Sequence, residues 1–122
     1  MKELSVNAGG MKTRVMVGTR LESLHMHCSN AEKVLLVVDA NVARMHADKL
    51  PDFPKVVLEA REEEKNPQAV EKIYCACIEN RLDRHSLIVG IGGGIVGDIA
   101  GFAAATFARG TRFALVPTTL LS

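Results

Sequence analysis

Tryptophan is absent and aromatic residues are scarce, with one Tyr and four Phe in 122 residues. A chain so poor in flat side chains has no platform on which to stack bases. The formal net charge is only +1, so no basic face argues for nucleic acid or an anionic membrane surface. Long hydrophobic runs are missing as well. The longest apolar stretch, around Ile99 to Ala108, is interrupted by Gly101 and bounded by Asp98 and Arg109, and it is too short to span a bilayer. The start, Met1-Lys2-Glu3-Leu4-Ser5, has no apolar segment of the kind a signal peptide needs. The three cysteines, Cys28, Cys75 and Cys77, form an odd set, and the last two are too close for an ordinary disulfide. Reduced thiols in the cytoplasm are the expectation. Repeats and low-complexity segments are also lacking. The length suits one domain, and residues 1–122 are read as such.

Two patterns alternate along the chain: short β-branched apolar runs and longer stretches with helical spacing. Leu4–Val6 and Thr13–Val17 read as a hairpin around Ala8-Gly9-Gly10. Thr19–His27 reads as a helix. Val34–Val38 is apolar without alternation, as in a parallel strand covered on both faces. Ala40–Leu50 is a helix stopped by Pro51, and Lys55–Leu58 a short strand. Pro67–Glu79 is a helix with Pro67 in its first turn, its inner face formed by Val70, Ile73, Tyr74 and Cys77. Ser86–Ile91 is a strand. Val96–Ala108 is a helix whose Ala and Gly content allows close packing on a sheet. Arg112–Val116 is the last strand, and Pro117-Thr118-Thr119-Leu120 looks like another helix start. This alternation predicts an α/β fold, a Rossmann-like parallel sheet with flanking helices.

Ligands of such sheets bind beyond the carboxyl ends of the strands. There the sequence places Asp39 and Asn41, then Glu62, Glu63, Glu64 and Lys65, then Gly92-Gly93-Gly94, and finally Thr118 and Thr119. Acids suit ribose hydroxyls, and glycines let backbone N–H groups approach a phosphate closely. The helix after the glycines adds the positive end of its dipole. Asp98 is expected in the first turn of that helix, as a dipole partner or as a functional group. Gly92-x-Gly94-x-x-Gly97 formally matches the dinucleotide-binding fingerprint, yet no Asp or Glu follows Asp98, and the match does not fall on the first strand. It is not a Walker A loop either, because no Gly-Lys-Ser/Thr follows. A charge run such as Arg61–Lys65 is ordinarily a solvated face. His25-Met26-His27-Cys28 lacks a second ligand pair and is not read as a metal site. His46 and His85 are lone residues, expected at the surface, and Cys75 and Cys77 should face different sides of their helix.

The stretch Gly92 to Leu121 closely resembles the signature of 3-dehydroquinate synthases, GGGxxGDxAGFxAAT followed by an RGxxF–PTTLL segment. Upstream, Asp39-Ala40-Asn41 is similar to the family's early cofactor contact. Glu62-x-x-Lys65 falls where the family has GExxK, with Arg61 in place of the Gly. The resemblance implies an N-terminal α/β domain that binds NAD and a C-terminal helical domain that carries a divalent metal, zinc or cobalt. It implies conversion of 3-deoxy-D-arabino-heptulosonate 7-phosphate to 3-dehydroquinate in the shikimate pathway, a phosphate-eliminating lyase reaction with NAD acting catalytically. It assigns Asp39, Asn41, Glu62, Lys65, Gly93, Gly94, Ile95, Asp98, Thr118 and Thr119 to NAD. It assigns Arg109 to the substrate phosphate, reaching into the neighbouring subunit of a homodimer.

The family's substrate-binding Asp and Gly-Gly-Lys segment and its metal ligands, a Glu and two His, would follow Ser122. This chain is therefore expected to be the N-terminal, NAD-binding part of the enzyme, with no catalytic residue and no metal ligand of its own. The expectations include inactivity as a fragment and an exposed apolar patch where the second domain would pack. Alternatives are another NAD-dependent sugar-phosphate cyclase, an iron-dependent alcohol or glycerol dehydrogenase of shared architecture, and a free-standing nucleotide-binding module.

Overall fold

The computed structural model describes residues 2–8, 11–17, 33–59, 61 and 67–117. The expected helix Thr19–His27, the His25–Cys28 cluster and the helix start after Pro117 lie outside the described residues. Strands β1 (Lys2–Ala8) and β2 (Met11–Val17) form an antiparallel hairpin with Ala8 opposite Met11. β3 (Val34–Asp39) leads into α1 (Ala40–His46), which tightens into a 3-10 turn over Ala47–Lys49. The α-helix is thus shorter than the apolar spacing predicts. Leu50 is already extended at φ −79°, ψ 137°, the conformation that the ring of a following proline imposes. Then come β4 (Lys55–Leu58), α2 (Pro67–Glu79), β5 (Leu87–Gly92), α3 (Gly94–Thr106) with a 3-10 turn over Phe107–Arg109, and β6 (Arg112–Pro117).

The four later strands make one parallel sheet in the order β4-β3-β5-β6. β3 carries six buried residues in succession, because both of its faces are covered. Val34, Leu36 and Val38 join Val89, Ile91 and Val42 of α1 in one core layer. Leu35 and Val37 join Ile88, Leu58 and the inner faces of α2 (Ala69, Ile73, Cys77) and α3 (Val96, Ile99, Ala100, Ala103, Ala104) in the other. Each fully buried Leu or Ile contributes roughly 1.5–3 kcal/mol, so the unbroken apolar run at the centre dominates the stability of the sheet.

Small residues set how closely α3 lies on the sheet. A Cβ at Gly90 of β5 would stand 3.2 Å from the Ala100 Cβ and 3.4 Å from the Phe113 ring. Gly97 and Gly101 of α3 face Leu115 and Phe113 of β6 in the same way. Those two β6 side chains, with Phe102 of α3, are among the exposed large hydrophobics.

At the opposite end of the strands the chain enters β5 through a turn organised by Asp83. Its carboxylate accepts from the His85 N–H at 2.8 Å and from the Ser86 hydroxyl at 3.3 Å, an Asx-type turn. The His85 N–H bond is the main cause that holds this carboxyl below the usual range; desolvation opposes it, and the Ser86 hydroxyl and the charges of His85 and Lys33 add to the lowering.

Burial pushes the Cys77 thiol from 9.0 up to about 11, whereas Cys75 is exposed. Alkylation of the native chain followed by peptide mapping should therefore modify Cys75 and spare Cys77 until the chain unfolds. The unfolded thiol releases its proton from about pH 9 and the folded one only near 11. The folded state then holds more protons, so this group's contribution to stability is intact below pH 9 and declines as pH rises through that window. Gly90→Val should lower the urea midpoint by the equivalent of about 1–3 kcal/mol through overpacking against Ala100.

Candidate functional site

The chain runs from β3 to β4 on one side of β3, then returns to place β5 on its other side. The helices that follow β3 and β5 pack in different core layers, and at such a reversal of strand order an α/β sheet is expected to leave a crevice at the carboxyl ends of the two strands. The strand ends lie in a row: Leu58 pairs with Asp39, Val38 with Ile91, and Gly92 with Pro117. The predicted residues Asp39, Asn41, Gly93, Gly94 and Ile95 all sit at or just beyond this row.

Asp39 closes β3 and caps α1. Its carboxylate accepts from the Asn41 N–H at 2.7 Å, which satisfies one of the orphan donors of the helix start. Only 8% of its surface is exposed. Asn41 is exposed on the first turn, and its side-chain oxygen accepts from the Arg44 guanidinium. Arg44 was not read as a site residue from the sequence. The signal was its place three residues after Asn41, one turn along the same helix face.

Gly92, the first of the three glycines that the sequence places at the strand ends, holds the junction between the two strands. It is buried at the end of β5 with φ 158°, and a Cβ there would stand 3.0 Å from the Asp39 Cβ and 3.1 Å from the Val96 Cβ. The absence of a side chain thus lets the β3 and β5 ends touch. Gly93, extended at φ −87°, ψ −162°, is the N-cap of α3 and provides no side-chain cap. The N–H groups of the first turn of a helix have no intrahelical acceptor, and they form the positive end of the macrodipole. At Gly94 a Cβ would meet nothing within 4 Å, so the space over the first turn is open. An anionic group fits such a helix start.

Two expectations need correction. Helix α3 begins at Gly94, two residues before the predicted start at Val96, because Gly93 alone suffices to turn the chain out of β5. Asp98 consequently lies in the second turn and not the first, where no acidic residue occurs. It is exposed on α3, five residues beyond the N-cap, and cannot act as the cap. Arg109 is not brought to the crevice. It lies in the 3-10 turn at the far end of α3, about 20 Å along the helix at 1.5 Å per residue. Glu62, Lys65, Thr118 and Thr119 lie outside the described residues. No group of three His, Cys, Asp or Glu that could hold a metal occurs among the described residues, so they do not fit a metal site. No helix there is long and apolar enough to cross a membrane.

Comparison with known proteins accords with this architecture. The family model described as "3-dehydroquinate synthase N-terminal" matches residues 55–122. The chain is 37% identical, over an alignment 133 positions long, to the 3-dehydroquinate synthase of Prochlorococcus marinus, covering 98% of this chain and 36% of that protein. Among solved structures it is similar to a 2-deoxy-scyllo-inosose synthase, with TM-score 0.78, 23% identity, and coverage of 96% of this chain and 36% of that one. It is also similar to the 2-epi-5-epi-valiolone synthase of Streptomyces hygroscopicus, solved with NAD+ and Zn2+ bound, with TM-score 0.75, 28% identity, and coverage of 98% and 34%. The chain spans about a third of the length of the curated relatives it matches.

The Asp39 cap is open to direct measurement. Asp39→Ala should destabilise the chain by about 0.5–2 kcal/mol in urea unfolding, whereas Asp39→Asn, which can also cap, should retain most of that stability.

Proposed function

Because the chain belongs to the 3-dehydroquinate synthase family, we propose that it is the NAD-binding domain of an enzyme that converts 3-deoxy-D-arabino-heptulosonate 7-phosphate to 3-dehydroquinate and phosphate. The observation that carries this reading is the pairing at the crevice. The uncapped start of α3, with open space over Gly94, stands beside the capped carboxylate of Asp39. In this reading the first-turn N–H groups of Gly94 and Ile95 receive the pyrophosphate. Asp39 spends one oxygen on Asn41 and offers the other to a ribose hydroxyl. Asn41, Glu62, Lys65, Gly93, Asp98, Thr118 and Thr119 complete the cofactor contacts. Bound NAD supplies the transient oxidation of a substrate hydroxyl that makes the neighbouring C–H acidic.

Arg109 serves the substrate phosphate, since a planar guanidinium can grip two phosphate oxygens at once. Its distance from the crevice along α3 favours the site of a second copy, and hence a homodimer. The zinc or cobalt ion and the substrate-binding residues belong to segments that the longer relatives carry. The chain by itself is then an inactive part of a cytoplasmic shikimate-pathway enzyme. A related cyclase acting on another sugar phosphate is the second reading, favoured by the similarity to the valiolone synthase.

Calorimetric titration with NAD tests the cofactor assignment. Gly94→Ala should leave stability within about 1 kcal/mol, since its Cβ meets no protein atom, yet weaken NAD binding at least tenfold. Asp98→Ala should also abolish most of the affinity. Unchanged affinity in both variants removes the nucleotide site. Release of phosphate from the seven-carbon substrate by the complete enzyme, and not from the six-carbon substrate of a relative, separates the two readings.

A further inference from the structure

The far end of α3 is held by more contacts than a helix stop requires. Ala108 takes a left-handed backbone at φ 50°, ψ 35°, and Gly110 has φ 111°, so Arg109 sits between two residues of positive φ. A left-handed alanine is disfavoured by its own Cβ and persists only where its surroundings hold it. Within the turn, the Phe107 carbonyl accepts from the Gly110 N–H at 2.8 Å, and the Thr111 N–H reaches the Ala104 carbonyl at 2.7 Å. The Thr111 hydroxyl adds a longer bond to the Phe107 carbonyl at 3.4 Å.

A further hold comes from outside the turn, through Tyr74 of α2, the sole tyrosine of the chain. Its hydroxyl is hydrogen-bonded to the Thr106 hydroxyl, and its ring lies 6.1 Å from that of Phe107. Thr106 gives its one proton to the Phe102 carbonyl at 2.8 Å, so the phenol of Tyr74 is the donor to Thr106. Tyr74 therefore fastens both the last residue of α3 and the first residue of the turn to the neighbouring helix. No part of the proposed cofactor site uses this contact.

We propose that Tyr74 is a positioning residue for Arg109: through Thr106 and Phe107 it fixes the backbone turn that carries Arg109, and with it the contact of Arg109 with a substrate phosphate. The inference rests on the reading of Arg109 as a phosphate contact. Bidentate contact depends on direction, and a small misplacement of such a clamp is enough to weaken it.

The test uses the complete enzyme and compares Tyr74→Phe, Thr106→Val, Arg109→Ala and the double variant Tyr74→Phe/Arg109→Ala. The readouts are KM and kcat for the sugar phosphate, competition by inorganic phosphate, and NAD affinity. Tyr74→Phe should raise KM and weaken inorganic phosphate about threefold to tenfold, the range of one neutral hydrogen bond, with NAD affinity unchanged. Thr106→Val, which removes the acceptor, should do the same. Arg109→Ala should have the larger effect, and adding Tyr74→Phe to it should change KM no further. If Arg109→Ala raises KM while Tyr74→Phe does not, or acts additively, or weakens NAD in parallel, the role of Tyr74 is overturned and the reading of Arg109 stands. If Arg109→Ala itself leaves KM unchanged, that reading fails and the proposal with it.

Discussion

Strand β3 has no side that meets solvent. Its six residues are buried in succession, with β4 and β5 on its two edges and helices over both faces. Every backbone donor and acceptor there must be met by a neighbouring strand, because no water reaches it. That requirement fixes the parallel ladders on both edges. The one charged residue, Asp39, can be accommodated only at the open rim, where the chain leaves the sheet and the first turn of α1 supplies an N–H for its carboxylate. The crevice thus follows from the same constraint as the core. Apolar residues extend as far as the sheet is sealed, and polar chemistry begins where the seal ends.

The second dependence is on distance between backbones. Gly90 beneath Ala100 lets α3 lie close over β5, and Gly92 lets the end of β5 come up against Asp39. A helix drawn in this way delivers its uncapped start to the rim of the sheet beside the carboxylate. Backbone N–H groups, a helix dipole and one fixed acid then converge without any long side chain having to be ordered, which keeps the entropic cost of the arrangement low. Under the proposed function, this suits an NAD that stays bound while it is used and restored.

The two ends of α3 differ in the way they are held. The start is uncapped by any side chain and open above Gly94. The other end is closed by a left-handed alanine, a glycine of positive φ and bonds from Tyr74 and Thr111. An open start receives a ligand, and a closed end sets the direction of whatever it carries. Under the proposed function those are the demands of a cofactor site in one copy and of a phosphate clamp offered to another.

Much of this was legible in the residues themselves. Val34–Val38 has no polar alternation, and a strand of that kind has to be buried on both faces. The run Gly92-Gly93-Gly94 between a strand and an apolar helix marked where a backbone approaches something closely, and its continuation to Leu121 identified the family. The order β4-β3-β5-β6 was not legible, because hydrophobic pattern reports burial and not which strand lies beside which. For that reason the contact of Gly92 with Asp39 escaped notice, as did the placing of Tyr74 against Thr106, far along the chain. Glycine propensity argues for loop before Val96 and so puts Asp98 in the first turn, whereas the extended Gly93 turns the chain out of β5 and the helix starts at Gly94. The sequence by itself determined the elements, the faces they bury and the residues available for chemistry, since these depend on local spacing and side-chain type. Only the tertiary structure decided which strand ends meet, that Gly92 abuts Asp39 and that Tyr74 meets Thr106, because those depend on distances between segments remote in the chain.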